Sequence, residues 1–183
     1  VGEAEWWYLP LVEGAYMSDL NRVKISAHLS LHELECKGRI CCGYSVKIQP
    51  GVVLYFEATR KQIQQEGQPD RKLLVASGYR CPVYNWVLGS RTPSLDPLDP
   101  KARYHPKGMA LDLTSPDVSK IRLAEAAIEA GWPRVGLYTK DGTLVLHCDL
   151  ADAEAEGLPA VWGDGWPDLQ QAMEMYKAVG GRG

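Results

Sequence analysis

The segment Tyr104-His105-Pro106-Lys107-Gly108-Met109-Ala110-Leu111-Asp112 and the later segment Leu144-Val145-Leu146-His147-Cys148-Asp149 hold two of the chain's four histidines. Each lies within a few residues of an aspartate in a largely apolar setting. His105 and Asp112 are too far apart for one helical turn and suitably spaced for a loop that feeds a strand. Gly108 between them permits a tight path or a positive φ. His147 and Asp149 share a face if they lie on a strand, where side chains alternate with period 2. Two imidazoles and a carboxylate, with a fourth position left for water, form a common catalytic zinc shell. Such an ion acidifies its water and polarises a carbonyl, the chemistry of amide hydrolysis.

The flanking pattern supports an α+β arrangement. Leu111-Asp112-Leu113 reads as a strand. Ser115-Pro116-Asp117 predicts a helix start, with N-cap, proline in the first turn and an early acid. Val118, Ile121, Ala124 and Ile128 would form its buried face and Gly131 its end. Val135 to Thr139, then Lys140-Asp141-Gly142, then Thr143 to Leu150 predict a hairpin with an Asp-Gly turn. Pro167 to Ala178 reads as a closing helix.

Upstream, Trp6-Trp7-Tyr8 and their neighbours show no period and read as an arm over residues 1–25. Arg22 to Leu29 alternates polar and apolar, predicting a short strand. Ser30 and Glu33 have capping-box spacing, predicting a helical turn. That N-cap would put His28 outside the turn, so His28 and His32 read as solvated or core-edge residues rather than a metal pair. Pro50 to Gln65 predicts a helix with Val53, Phe56 and Ile63 near one face, Gly67 beyond its end and Glu57 spaced to meet Lys61. Leu73-Leu74-Val75-Ala76 predicts a buried strand. Gly89 to Lys101, rich in proline, reads as a surface loop leading to His105.

Length and composition set bounds. The 183 residues suit one domain, with the arm at 1–25, a core over 27–150 and a closing segment over 151–183. A net charge of −3 leaves no electrostatic footprint for nucleic acid. No apolar run reaches the length of a membrane span. The chain begins at Val1 rather than Met, compatible with removal of a leader or a preceding module, so location stays open. Five cysteines are an odd number. Cys36, Cys41 and Cys42 lack C-x-x-C spacing, which favours a local disulfide or buried thiols over a second metal.

Four motifs taken together resemble the zinc D-alanyl-D-alanine carboxypeptidase-like peptidases, whose superfamily includes the hedgehog signalling domain. They are Ser77-Gly78-Tyr79-Arg80, then His105, Gly108, Ala110 and Asp112, then His147 with Asp149, and the opening segment Leu29 to Cys36. The likeness runs roughly from Ala27 to Asp149. It implies a small, mostly antiparallel sheet with helices packed against one face and the zinc site on the open face. It also implies one Zn2+ held by His105, Asp112 and His147, with Arg80 on the substrate carbonyl or its developing oxyanion. The family serine two before the first histidine is Arg103 here, and the glutamate some relatives place three before the last histidine is Leu144. Asp149 is then the expected base, with holding a ligand in place from behind as its alternative role. Asp141, six residues before His147 where the hedgehog domain has a glutamate, is a further catalytic candidate beside its turn role. The expected substrate is the peptidoglycan stem peptide, cut by carboxypeptidase or endopeptidase action, in a periplasmic, extracellular or phage-associated setting. A non-catalytic, zinc-stabilised binding module of the same fold is the alternative.

Overall fold

The computed structural model describes residues 23–38, 42, 45–64, 68–88 and 104–180. The expected arm, apart from its last residues, and the Gly89 to Lys101 loop, together with Arg103, Cys41 and Gly67, lie outside them.

Among the described residues, five strands form one sheet. β1 (Leu74–Ser77), β2 (Ala110–Thr114), β3 (Arg134–Lys140), β4 (Thr143–Asp149) and β5 (Val161–Trp162) lie in the order β1-β2-β4-β3-β5. All pairings are antiparallel except the short β3–β5 pair. The helices are α1 (Pro50–Ile63), α2 (Pro82–Val87), α3 (Lys120–Glu129) and α4 (Leu169–Ala178).

The sheet has two unlike faces because its strands alternate. Leu111, Leu113, Val135, Leu137, Leu146 and Cys148 are buried in a core shared with Val52, Phe56 and Ile63 of α1 and Leu123, Ala127 and Ile128 of α3. Fully burying one such aliphatic side chain stabilises the fold by about 1.5–3 kcal/mol, so this layer fixes where the sheet sits. Trp132, fully buried, joins the layers by donating from Nε1 to Thr59 Oγ1 at 2.9 Å. The opposite face carries Asp112 and His147.

The β3–β4 hairpin forms as expected. Asp141 (φ 50°) and Gly142 (φ 72°) form a two-residue turn with both residues left-handed, the type that matches strand twist. The closing helix begins at Leu169, where the Asp168 carboxylate accepts from the Gln171 N–H at 3.0 Å. Gly131 ends α3 at φ 84°. At the turn Leu31–Leu34, the Glu33 carboxylate accepts from both the N–H and the O–H of Ser30, each at 2.8 Å. His28 and His32 are exposed.

Four local expectations are corrected. Residues 23–30 do not form a strand. They bend back on themselves, closed by a bridge between Lys24 and Ser30, because no strand among the described residues takes up their alternation. The run at Leu73 to Ala76 forms an edge strand, with Leu74 41% exposed, rather than a buried one; an apolar run does not reveal whether both of its sides are covered. Ser115-Pro116-Asp117 is a turn and not a helix start. Ser115 Oγ accepts from the Asp117 N–H, and the Asp117 carboxylate accepts from the Lys72 N–H, so the cap falls to Ser119 and α3 starts at Lys120. Glu57 faces the 23–30 bend rather than pairing along its helix with Lys61. It accepts from Ser26 Oγ at 2.5 Å, the His28 N–H at 3.0 Å and His28 Nδ1 at 2.8 Å.

Burial opposes ionisation of Glu57, but the bonds from Ser26 and His28 outweigh it and hold the carboxyl below its ordinary value. A depressed folded pKa contributes stability that is complete above the unfolded value of about 4.3 and lost as pH falls through the folded value. Glu57→Gln is expected to destabilise the domain by about 1–2 kcal/mol at neutral pH, with a smaller loss once the carboxylate is protonated. Urea unfolding of both proteins at neutral and acid pH checks this; equal losses at the two pH values would contradict it.

Candidate metal centre

One register row crosses the sheet. Ser77 lies opposite Asp112, Asp112 opposite His147, His147 opposite Gly136 and Gly136 opposite Trp162. These positions share the open face, so the row alone brings Asp112 and His147 together. His105 reaches them from the 3-10 turn His105–Lys107 just before β2. Gly108 closes that turn at φ 67°, and a Cβ there would lie 2.6 Å from the Lys47 carbonyl oxygen, so only glycine fits.

Three donor atoms converge. His147 Nδ1 lies 3.0 Å from Asp112 Oδ1, His105 Nε2 lies 3.3 Å from the same oxygen, and the two ring nitrogens are 3.2 Å apart. Ligands on a small tetrahedral cation, with bonds of about 2.0–2.1 Å, sit about 3.3 Å from one another. The spacing therefore fits one ion with a coordination position left over.

Outer contacts fix the direction of each donor. His105 Nδ1 donates to the Gly78 carbonyl at 2.6 Å, which leaves Nε2 as a lone pair aimed at the centre. His147 uses the opposite tautomer: Nε2 donates to Asp149 Oδ2 at 3.1 Å, so Nδ1 faces inward. Arg80 bonds Asp112 Oδ2 and donates from Nε to Ser77 Oγ at 2.9 Å, reserving Oδ1 for the centre.

Without an ion, the electrostatics treat the two rings differently. Burial lowers the His105 pKa, favouring the neutral ring that a ligand must be. Burial also opposes charge on His147, but hydrogen bonds to Asp112 and Asp149 win and push it up to about 9. Burial likewise opposes ionisation of Asp112, and the two imidazoles overcome it, holding the carboxyl well below its usual range.

Of the six residues singled out from sequence, the structure gathers five. His105, Asp112 and His147 form the triangle, with Arg80 and Asp149 touching it. Asp149, expected to act as a base, lies behind His147 and is fully buried. Its Oδ2 accepts from Arg134 at 3.2 Å as well as from His147, and its Oδ1 accepts from the Ala151 N–H at 3.0 Å. Sharing a strand face brought it to His147, but on the ring nitrogen away from the centre. Asp141 does not join the site. It is exposed at the hairpin tip beyond Thr143, which itself lies about 14 Å along the strand from His147 at about 3.4 Å per residue.

Two site residues carried no signal in the sequence. Arg134 balances the buried charge of Asp149, donates to the Pro159 carbonyl and lies over the rings of Tyr104 and Trp162. Trp162 stacks on Tyr138 and stands 6.1 Å, ring centre to ring centre, from His147. Beside the triangle, a groove of about 470 Å³ runs past Asp112 and Arg80 between Lys37, Tyr84, Lys120 and Leu144.

Replacing the partner behind a ligating histidine costs about 10- to 100-fold in metal affinity. Asp149→Asn keeps the shape but removes the charge, and is expected to weaken binding of added zinc by that factor in a chelator competition. Unchanged affinity would remove Asp149 from any orienting role.

No curated protein and no solved structure matches the chain. A family model described as peptidoglycan L,D-endopeptidase MepK matches residues 52–155, a span holding all three donors of the triangle as well as Arg80 and Asp149. Because that match covers more than half of the 183 residues, the chain belongs to this family of peptidoglycan endopeptidases, Peptidase M15_2.

Proposed function

We propose that this protein is a zinc-dependent endopeptidase that hydrolyses an L,D peptide bond within the stem peptides of bacterial peptidoglycan. The observation that carries the reading is the donor triangle of His105, Asp112 and His147, with pairwise separations of 3.0–3.3 Å, at the edge of an open groove. A zinc ion held there supplies Lewis acidity and lowers the pKa of water, the two needs of amide hydrolysis. The family description favours endopeptidase over carboxypeptidase action.

The chain's own residues supply the rest. Arg80 lines the groove while anchored through Ser77 and Asp112, which presents its remaining N–H groups to a substrate carbonyl or to the oxyanion that develops from it. Lys37 and Lys120 also border the groove and suit a substrate carrying carboxylates. Asp149 keeps His147 in the tautomer that points Nδ1 at the centre. Tyr138 stacks on Trp162 and lies where the charges of Asp112 and Arg80 reach it. A cross-linked wall is met outside the cytoplasm, which accords with a periplasmic, extracellular or phage-delivered enzyme. Among the described residues no helix is long and apolar enough to cross a membrane.

Alanine at His105, Asp112 or His147 is expected to abolish hydrolysis of defined muropeptides, read by mass spectrometry of products with and without chelator. Full turnover in any of the three, or in chelator, would reject the reading. If chelation lowers the melting temperature while no product forms under any condition, the non-catalytic binding module is the better description. Arg80→Ala is expected to lower kcat about 10²- to 10³-fold, the usual cost of losing one oxyanion donor. A change confined to KM would place Arg80 in substrate binding alone.

A further inference from the structure

A second cluster of metal-ligating side chains lies apart from the histidine centre. Cys36, Cys42 and Cys81 place their sulfur atoms within 4.8 Å of one another. Cys36 and Cys81 are buried, at 0% and 5% exposure, and come from segments forty-five residues apart. Sulfurs on a tetrahedral thiolate site with bonds of about 2.3 Å stand about 3.8 Å apart, so shifts of well under an ångström each would close the cluster on one ion.

The backbone around the sulfurs is arranged for negative charge. Cys36 Sγ accepts from the Cys81 N–H at 3.3 Å, and the Gly38 backbone also bonds it. Cys81 caps α2, its Sγ accepting from the Tyr84 N–H at 3.4 Å. Cys42 is bonded by both the side chain and the backbone of Ser45. Each sulfur thus receives backbone N–H groups, which neutral thiols need little and thiolates need greatly. A buried thiolate group of this kind is tolerated when a cation shares its charge.

We infer that Cys36, Cys42 and Cys81 form a structural site for a soft divalent ion, zinc in the first instance, with one position left for a fourth donor. Binding is ligand exchange without oxidation: each thiol that ligates gives its proton to solvent, and three sulfur–zinc bonds replace three sulfur–hydrogen bonds. Soft thiolates select such an ion over magnesium or calcium.

The location gives the ion a task. Residues 34–36 and 78–81 run side by side here, with the Tyr79 N–H donating to the Leu34 carbonyl at 2.8 Å. Gly78 approaches so closely that a Cβ would lie 2.7 Å from Leu34 Cα. The same segment supplies the Gly78 carbonyl that orients His105, and Arg80. An ion bound by Cys36 and Cys81 clasps this segment from behind, independently of what the histidine centre catalyses.

Metal analysis of the reduced, purified chain tests the inference. Zinc is expected at two per wild-type chain and at one per chain in the His105→Ala/His147→Ala variant. Cobalt loaded into that variant should give the near-ultraviolet charge-transfer absorption of thiolate ligation, and Cys36→Ser/Cys81→Ser should remove the band. Zinc-edge X-ray absorption of the wild type, which needs no variant to fold, should show a sulfur shell at about 2.3 Å beside the nitrogen and oxygen shell. Absence of sulfur scattering, loss of all metal from the histidine variant, or recovery of these cysteines as a disulfide would each overturn the site. Loss of hydrolysis with both metals retained would instead count against the peptidase reading and leave the thiolate site standing.

Discussion

The pairing of Asp112 with His147 in one register row is the constraint on which the rest depends. Side chains on a strand alternate, so a slip of one residue would turn His147 into the helix-covered core and bring Cys148 to the open face. The hairpin turn at Asp141 and Gly142 fixes β3 against β4, and the apolar row Leu137–Leu146 holds that register from the covered side. Several buried aliphatic groups at about 1.5–3 kcal/mol each oppose any slip. The polar site is therefore positioned by the hydrophobic layer beneath it.

Around that row the ligand atoms that face away from the centre each have a partner before any ion arrives. Gly78 holds the far nitrogen of His105, Asp149 holds that of His147, and Arg80 occupies the second oxygen of Asp112. Such preorganisation requires buried charge, which is costly when unpaired. Arg134 answers Asp149, and its guanidinium lies against the rings of Tyr104 and Trp162. The outcome is a centre whose inner face gathers two ring nitrogens and a carboxylate oxygen and whose outer face is closed.

The motifs were legible in the chain because they are local. The order of His105, Gly108, Ala110 and Asp112 describes one short turn entering one strand, and the His147-x-Asp149 pair describes one strand face. The Asp-Gly hairpin and the capping of the turn at Ser30 were readable for the same reason. Where the reading failed, the deciding partner lay far away in sequence. Asp117 is drawn to Lys72, Glu57 to Ser26 and His28, and the edge position of β1 follows from which strands pair. Asp141 illustrates the converse, since the extended chain from Thr143 to His147 carries it away from the centre rather than toward it.

From the sequence by itself came the α+β class, the three ligand candidates and the family likeness, because each rests on spacing along the backbone or on residue type; Arg80 followed only from that likeness. Tertiary structure alone decided which nitrogen of each histidine faces the centre and that Asp149 stands behind rather than in front. It also brought in Arg134 and Trp162, and joined Cys81 to Cys36 and Cys42. Those outcomes depend on contacts between segments tens of residues apart, formed by sheet order and by the packing of the apolar face, and no local pattern encodes them.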